Sequence, residues 1–174
     1  MGLLINIANK MKGKPHCERL VKLVGNEITI TGAKFGFGNL TIDIGSYSNK
    51  IKEFYQVPGA MVSLDNSQYL LCETISQMKP EEPLREDCQR IRLQLILAFN
   101  QLQGMLSIPN PTDDTNKEIT KWVKYMNKLN KECITILGPG PKKVSKGGTS
   151  PIREVTKYQG IDEGEMQEAL RILR

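Results

Sequence analysis

The side chains that most often perform chemistry are few in this chain and are widely spaced. Of its 174 residues, four are cysteines and one is a histidine. Cys17, Cys72, Cys88 and Cys133 form no C-x-x-C pair, and His16 has no second histidine to act with. Structural zinc sites use closely spaced Cys and His ligands, so this spacing argues against one. We expect reduced thiols, with Cys88 and Cys133 packed as small hydrophobic side chains on apolar helix faces.

Paired carboxylates and a glycine-rich segment are the other candidates for chemistry. The pairs Glu81-Glu82, Glu86-Asp87 and Asp113-Asp114 lie at predicted helix starts, where negative charge interacts favourably with the helix dipole. Residues 32–38 have the spacing G-x-x-x-G-x-G, but the helix and the Lys-Ser/Thr pair of a phosphate-binding loop do not follow. No pairing of a nucleophile with a base is supported by the spacing. We therefore predict a protein that is not an enzyme and that uses no cofactor and no metal.

Three apolar repeats predict long helices that pack along one another. From Leu84 to Met105 apolar residues recur at alternating steps of four and three, which is the 3.5-residue repeat of helices laid along other helices. Similar repeats run from Met61 to Met78 and from Ile119 to Ile136. Gln68 interrupts the first of these, and we interpret it as a polar core residue that sets the register or as one turned aside by tilt. The predicted fold class is mainly α, an antiparallel three- to four-helix bundle with a small N-terminal β-hairpin.

The N-terminal part of the chain is predicted to combine two helices with that hairpin. Residues 2–24 follow a helical period with one break, and Gly25-Asn26 has the composition of a helix C-cap. The segments Glu27 to Thr31 and Leu40 to Ile44 alternate polar and apolar residues with β-branched side chains, which indicates two strands. The first helical segment either packs on the bundle or is an amphipathic anchor that lies on a membrane or in a partner's groove, and its few cations favour packing.

The C-terminal part contains a basic linker and a short amphipathic helix. Asp162 and Glu165 form a capping-box-like pair at the start of this helix. The helix either docks on the bundle or acts as a recognition peptide for another protein. The predicted organisation is residues 1–57 for the N-terminal helices and hairpin, 58–138 for the bundle, 139–160 for a basic flexible linker and 161–174 for the C-terminal helix.

The charge distribution leaves two interpretations open for one helix face. The net charge is +5, and the third long helix carries a stripe of lysines opposite its apolar seam. Such a stripe is either a solvated surface or a contact to an acidic partner or a phosphate backbone. The residues predicted to contact nucleic acid in the second case are Lys117, Lys121, Lys124, Lys128, Lys142 and Lys143.

The central helix carries the strongest indication of an additional interface. From Ile91 to Phe99 it is apolar nearly all round, so it is either enclosed by other helices or covered by a partner. The exposed β-ribbon is a second candidate surface, because strand edges pair with other chains. The residues predicted to bind a partner are Leu93, Leu97 and Phe99 where they are exposed, and Met166, Leu170 and Leu173 of the C-terminal helix.

Two of the predicted helices resemble a known group of modules. The segment L-D-N-S-Q-Y-L-L-C at residues 64–72, followed by Ile91-Arg92 and Ala98-Phe99, is similar to the helical effector-associated modules of bacterial conflict systems. The resemblance covers the two middle helices. It implies an adaptor that recruits an effector by helix-to-helix contact in antiviral defence, and it supplies no catalytic residues.

These observations predict a cytoplasmic, non-enzymatic adaptor that binds another protein, such as an effector or sensor, or associates with itself. No apolar run approaches the ~18 residues that a bilayer span needs. One alternative is an accessory protein that binds nucleic acid through the lysine-rich face. The other is a small membrane-acting effector that uses residues 3–11.

Overall fold

The computed structural model describes residues 2–12, 17–31, 39–43, 56–108, 112–138 and 161–174. The predicted class is confirmed, since the described part is mainly helical with a small N-terminal antiparallel sheet. In chain order the elements are α1 (Leu3–Met11), β1 (Val21–Val24), β2 (Glu27–Thr31), β3 (Asn39–Asp43), α2 (Gln56–Gln77), α3 (Pro83–Leu106), α4 (Asp113–Leu137) and α5 (Glu163–Ile172).

Helix α3 is the centre of the bundle. Every residue from Cys88 to Phe99 is buried, and α3 packs against α1, α2, α4 and α5. The apolar repeats predicted for α2, α3 and α4 form the core between them, and residues such as Leu71, Leu95 and Leu129 are fully enclosed. The all-round apolar character of α3 is therefore explained by neighbouring helices of the same chain.

The sheet corrects the prediction of a second N-terminal helix. Residues 21–24 form strand β1, which pairs antiparallel with β2 in the register Val21↔Ile30, and β3 pairs on the other side of β2. Gly25 and Asn26 form the two-residue turn between β1 and β2 and are not a helix cap. Gly25 has φ +58°, a left-handed conformation that glycine adopts without steric cost and that such hairpin turns require.

Helix α1 packs on the bundle, as predicted, and does not present its apolar face outward. Leu4, Ile7, Ala8 and Met11 are buried, and α1 lies against α5 and α3. A membrane-anchoring role for this helix would first require it to leave the core. The apolar face of the segment 3–11 is therefore used inside the protein.

A carboxylate of α5 caps the start of α1. The backbone N–H of Leu4 donates to Glu165 Oε1 at 3.0 Å, and this hydrogen bond satisfies one of the donors left unpaired at a helix start. A Cβ at Gly2 would overlap the same carboxylate. The predicted capping-box role of Glu165 is thus wrong, although Asp162 does cap α5 by accepting from the backbone N–H of Gly164 at 3.0 Å.

The cysteines are only partly as predicted. Cys88 and Cys133 are buried and form no disulfide. Cys17 and Cys72, however, form a disulfide that joins the segment before β1 to α2. No spacing rule indicates this pair, because the fold brings together residues that are 55 positions apart. The predicted linker at 139–160 lies outside the described residues.

Candidate functional site

The apolar residues of α3 that were predicted to bind a partner are inside the protein. Leu93, Leu97 and Phe99 are all buried by neighbouring elements. Since the prediction applied to them only if exposed, they are not available as a docking surface in this structure.

The C-terminal helix is docked and not free. Met166 and Leu170 are buried in the main core, and Leu173 is half-buried against it. Together with Ala169 they hold α5 against α1 and α3. These side chains therefore form part of the fold, and the recognition-peptide alternative would require α5 to detach.

The lysine stripe of α4 is on the surface. Lys117, Lys121, Lys124, Lys128 and Lys131 are all exposed. From residue 117 to residue 135, Glu118 is the one acidic residue among the exposed positions of this helix. The fourteen steps from residue 117 to residue 131, at a rise of 1.5 Å each, give the stripe a length of about 21 Å. Lys142 and Lys143 lie outside the described residues.

Exposed apolar side chains occur at the tip of the β1–β2 hairpin and on α4. Leu23 and Val24 are exposed at the tip, and Ile134 of α4 is 62% exposed beside the lysine stripe. The outer edge of β1 is partly covered, because the backbone N–H of Val21 donates to Asp65 Oδ2 of α2 at 3.2 Å. Lys22, Leu23 and Val24 of β1 are exposed, so this part of the edge is open to pairing with another strand.

A polar group at the centre of the bundle joins α3, α4 and α5. Arg90, which is 2% exposed, binds both carboxylate oxygens of Glu163 at 2.8 and 2.9 Å. One turn along, Gln94 donates to the backbone carbonyl of Arg90 at 3.2 Å and accepts from the hydroxyl of Tyr125. Burial raises the pKa of Tyr125, so this phenol stays protonated and acts as a hydrogen-bond donor. The group positions the helices and is closed to substrates.

The Arg90–Glu163 pair leads to a stability prediction. We expect Glu163→Ala to lower the free energy of unfolding by about 2 kcal/mol, because it leaves a buried guanidinium without its counter-ion. The expected loss is at the lower end for a broken buried pair, because the Glu163 side chain is 42% exposed and water can replace it. Urea unfolding measures the change.

The matched control is Glu168→Ala, which removes a carboxylate from the same helix. Glu168 pairs with Arg171 on the surface, and such pairs contribute little. We expect no measurable change for this variant. If the two substitutions lower the free energy of unfolding equally, the contact of Glu163 with the buried Arg90 contributes no more to stability than a surface ion pair.

A basic cavity of about 520 Å³ lies where the ends of four helices meet. Lys12 follows α1, Arg174 follows α5, and Arg85, Gln89 and Arg92 come from the first half of α3. Apolar side chains of α2 and α5 complete its wall, and none of the residues that line it is acidic or aromatic. Four cations therefore surround one cavity, and of these Arg174 also lies 3.9 Å from the carboxylate of Glu86.

Two side chains of α3 in this cavity are buried without complete pairing. Arg92 is 9% exposed and Gln89 is 6% exposed. The Nε atoms of Arg85 and Arg92 and the Oε1 atom of Gln89 have no hydrogen-bond partner among the described residues. Burial lowers the pKa of Arg92 to about 10, so its guanidinium is still charged at neutral pH. The cavity thus holds a desolvated positive charge.

The sequence analysis missed this site, although a signal for it exists. Arg85, Gln89 and Arg92 are spaced four and three residues apart, so they share one face of α3. A polar stripe of this kind indicates either a solvated face or a buried polar site. Lys12 and Arg174 have no such signal, because only the packing of α1 and α5 brings them to α3.

Neither metal ligation nor thiol chemistry is supported in the part of the chain described here. No three His, Cys, Asp or Glu side chains are grouped there in a way that could hold a metal ion. Burial raises the pKa of Cys133 to about 11, so this thiol is not a reactive thiolate at neutral pH. No described helix has both the length and the apolar character needed to cross a bilayer.

Comparison with known proteins finds no matching family model, no matching curated protein and no matching solved structure.

Proposed function

We propose that this protein is a non-enzymatic interaction module that binds an acidic partner protein through the lysine face of α4. This face is defined by Lys117, Lys121, Lys124, Lys128 and Lys131. The observation that carries the proposal is that all five lysines are exposed on one rigid helix. Complementary charge steers association and selects partners, and a regular stripe on a packed helix holds this charge in a fixed geometry.

The packing of α4 supports the proposal further. Its opposite side is buried through Ile119, Met126 and Leu129, so the lysine face cannot rotate away from a partner. Exposed Ile134 adds apolar area at the end of the stripe. Charged residues around an apolar contact are typical of protein interfaces, where the apolar part contributes most of the affinity.

Nucleic acid is the second candidate for the same face. The stripe of about 21 Å would pass several phosphates of a duplex, which carries one charge per about 1.7 Å of axis. The absence of aromatic side chains from the exposed positions of described α4 disfavours single-stranded ligands, because those are held by stacking. A protein partner is favoured because Ile134 has no equivalent use on a phosphate backbone.

The proposal for the cellular role is based on two observations, the resemblance of two helices and the disulfide. The resemblance of α2 and α3 to effector-associated modules supports an adaptor in bacterial defence signalling. The predicted cytoplasmic location conflicts with the Cys17–Cys72 disulfide, because the cytosol keeps most thiols reduced. We therefore propose that the protein works in an oxidising environment or that this bridge forms under oxidative conditions.

A charge reversal on α4 tests the proposed function. We expect Lys121→Glu, Lys124→Glu and Lys128→Glu together to weaken binding to the partner at least about tenfold, or 1.4 kcal/mol, because attraction becomes repulsion. Affinity capture with quantitative mass spectrometry identifies partners that depend on these lysines. Titration of a purified partner then gives the affinity.

The matched control reverses three exposed lysines on other elements, namely Lys10, Lys22 and Lys79. It changes the net charge equally, so a true partner of the α4 face should still bind this variant. A duplex DNA titration over salt runs in parallel. If DNA binding weakens with salt and is lost in the α4 variant, the partner of this face is nucleic acid and the proposal of a protein partner is wrong.

A further inference from the structure

The basic cavity between the helix ends is a different site from the lysine face of α4, and it has the properties of a pocket for a small ligand. We propose that it binds a small phosphorylated anion through Arg85, Arg92 and Lys12. Arg174 at the cavity lies 3.9 Å from the carboxylate of Glu86, whereas Lys12, Arg85 and Arg92 have no carboxylate within ion-pair distance among the described residues, so the cavity keeps an excess of positive charge. Its volume of about 520 Å³ lies in the range of small-molecule sites.

The buried guanidinium is the main reason for assigning a ligand. A buried charge in a folded protein normally has a counter-ion, as Arg90 has in Glu163. Arg92 is buried to a similar degree but has no carboxylate within ion-pair distance in the described chain. An anion from solution would supply the missing charge.

The helix dipoles explain the positions of Lys12 and Arg174 at this cavity but not the position of Arg85. Lys12 and Arg174 follow the C-terminal ends of α1 and α5, where cations are favourable in any protein. Arg85 is in the first turn of α3, and at that end the dipole disfavours a cation. The positive end of α3 instead adds to the attraction for an anion in the cavity.

The donors favour phosphate as the anion. Two guanidinium groups can each offer paired N–H donors, which match phosphate oxygens in a bidentate manner, and Lys12 adds a mobile ammonium. The rest of the wall is apolar, with Met11, Ile75 and Leu173 among its residues, and no lining residue is aromatic. The site therefore recognises a phosphate group with a small attached part, and it has no ring on which a base could stack.

The unbound site should carry a measurable stability cost. Desolvation lowers the pKa of Arg92 to about 10, which means that the folded protein disfavours the charged form when the cavity is empty. Arg92→Met keeps most of the side-chain volume and removes the charge. We expect this variant to melt about 2–6 °C higher than wild type without ligand, because an unpaired buried charge has been replaced by an apolar group.

Isothermal titration with inorganic pyrophosphate and with inorganic phosphate tests the site. We expect saturable binding of pyrophosphate to the wild-type protein and a rise in melting temperature with its concentration. Arg92→Met and Arg85→Met should each weaken binding by at least about tenfold, since each removes charge-assisted hydrogen bonds. Arg85 is only half-buried, so the second variant keeps the test valid if the first fails to fold.

Lys124→Met is the matched control, because it removes one positive charge from the α4 face and leaves the cavity intact. Its pyrophosphate affinity should equal that of wild type. No binding by wild type at millimolar pyrophosphate would overturn the proposal. So would equal affinity in wild type and Arg85→Met, or tighter binding of citrate than of pyrophosphate. None of these outcomes bears on the α4 partner, whose binding is measured with other variants.

Discussion

Reduction of the Cys17–Cys72 disulfide is expected to lower the free energy of unfolding by about 4 kcal/mol. The bridge closes a loop across 55 positions. In the chain-entropy description, a crosslink of this loop length lowers the conformational entropy of the unfolded chain by an amount that corresponds to about 4 kcal/mol. The bridge also fixes the segment before β1 against α2, which this segment otherwise contacts through hydrogen bonds of Asp65 and Gln68. Urea unfolding with and without a reducing agent measures the difference.

The control for the disulfide is the double variant Cys17→Ala and Cys72→Ala. It should show the reduced stability under both conditions and should not respond to the reducing agent. Thiol titration of the denatured wild-type protein should find two thiols, those of Cys88 and Cys133, which form no disulfide. Four titratable thiols in protein purified under air would contradict the bridge.

Asp65→Ala is expected to be the second severe change, with a loss of about 4 kcal/mol. The buried Asp65 carboxylate accepts from the backbone N–H groups of Leu20 and Val21 at 2.8 and 3.2 Å, and from the Gln68 amide at 3.0 Å. Alanine leaves these donors without an acceptor, and each unsatisfied buried donor costs about 1–3 kcal/mol. Asp65→Asn, which keeps one oxygen acceptor, should lose roughly half as much in thermal or urea unfolding.

The pH dependence separates the charge of Asp65 from its hydrogen bonds. Burial raises the pKa of Asp65 above the ordinary value of 3.8, and the hydrogen bonds from Leu20 and Gln68 only partly oppose this. The part of the stability that comes from protonation of this carboxyl is therefore complete below pH 3.8 and is lost as the pH rises through its higher folded-state pKa, while the hydrogen bonds remain. The stability difference between wild type and Asp65→Asn should grow as the pH falls through that window. A difference that shrinks on acidification would mean that the pKa is lowered instead.

Gln68 shows how far the sequence alone could lead. Its place on an apolar seam predicted either a polar core residue or one turned aside by tilt, and the structure buries it. Its amide donates to the backbone carbonyl of Glu18 at 2.6 Å and to Asp65, so it joins α2 to the segment before β1. Periodicity could place Gln68 in the core, but the identity of its partners depends on tertiary packing.

The length of the apolar repeat explains why the three long helices were predicted correctly and strand β1 was not. A repeat that lasts for several turns, as in α3, fits only one period, whereas the short run from Leu20 to Val24 fits both a helix and a strand. The Gly25-Asn26 pair followed by alternating β-branched residues was the better indicator, because it is a typical two-residue hairpin turn. Tertiary pairing with β2 decided the outcome.

The candidate site was less predictable than the fold. The lysine face of α4 follows from helical spacing, and its exposure agrees with the sequence. The cavity around Arg92 depends on the docking of α1 and α5, which are the described helices farthest apart in the chain, so a local pattern indicates only the part of it that α3 contributes. The apolar residues Leu93 and Leu97 were considered for a partner because the sequence does not show how many helices enclose α3.

The capping of α1 by Glu165 has a consequence for the way the nascent chain reaches its native state. The Leu4–Glu165 contact spans 161 positions, so α1 cannot complete its packing until α5 has been synthesised. Until then the growing polypeptide exposes the apolar sides of α1 and α3 that α5 later covers. Contacts between residues so far apart in the sequence form slowly. During this interval the chain is most prone to aggregate or to require a chaperone.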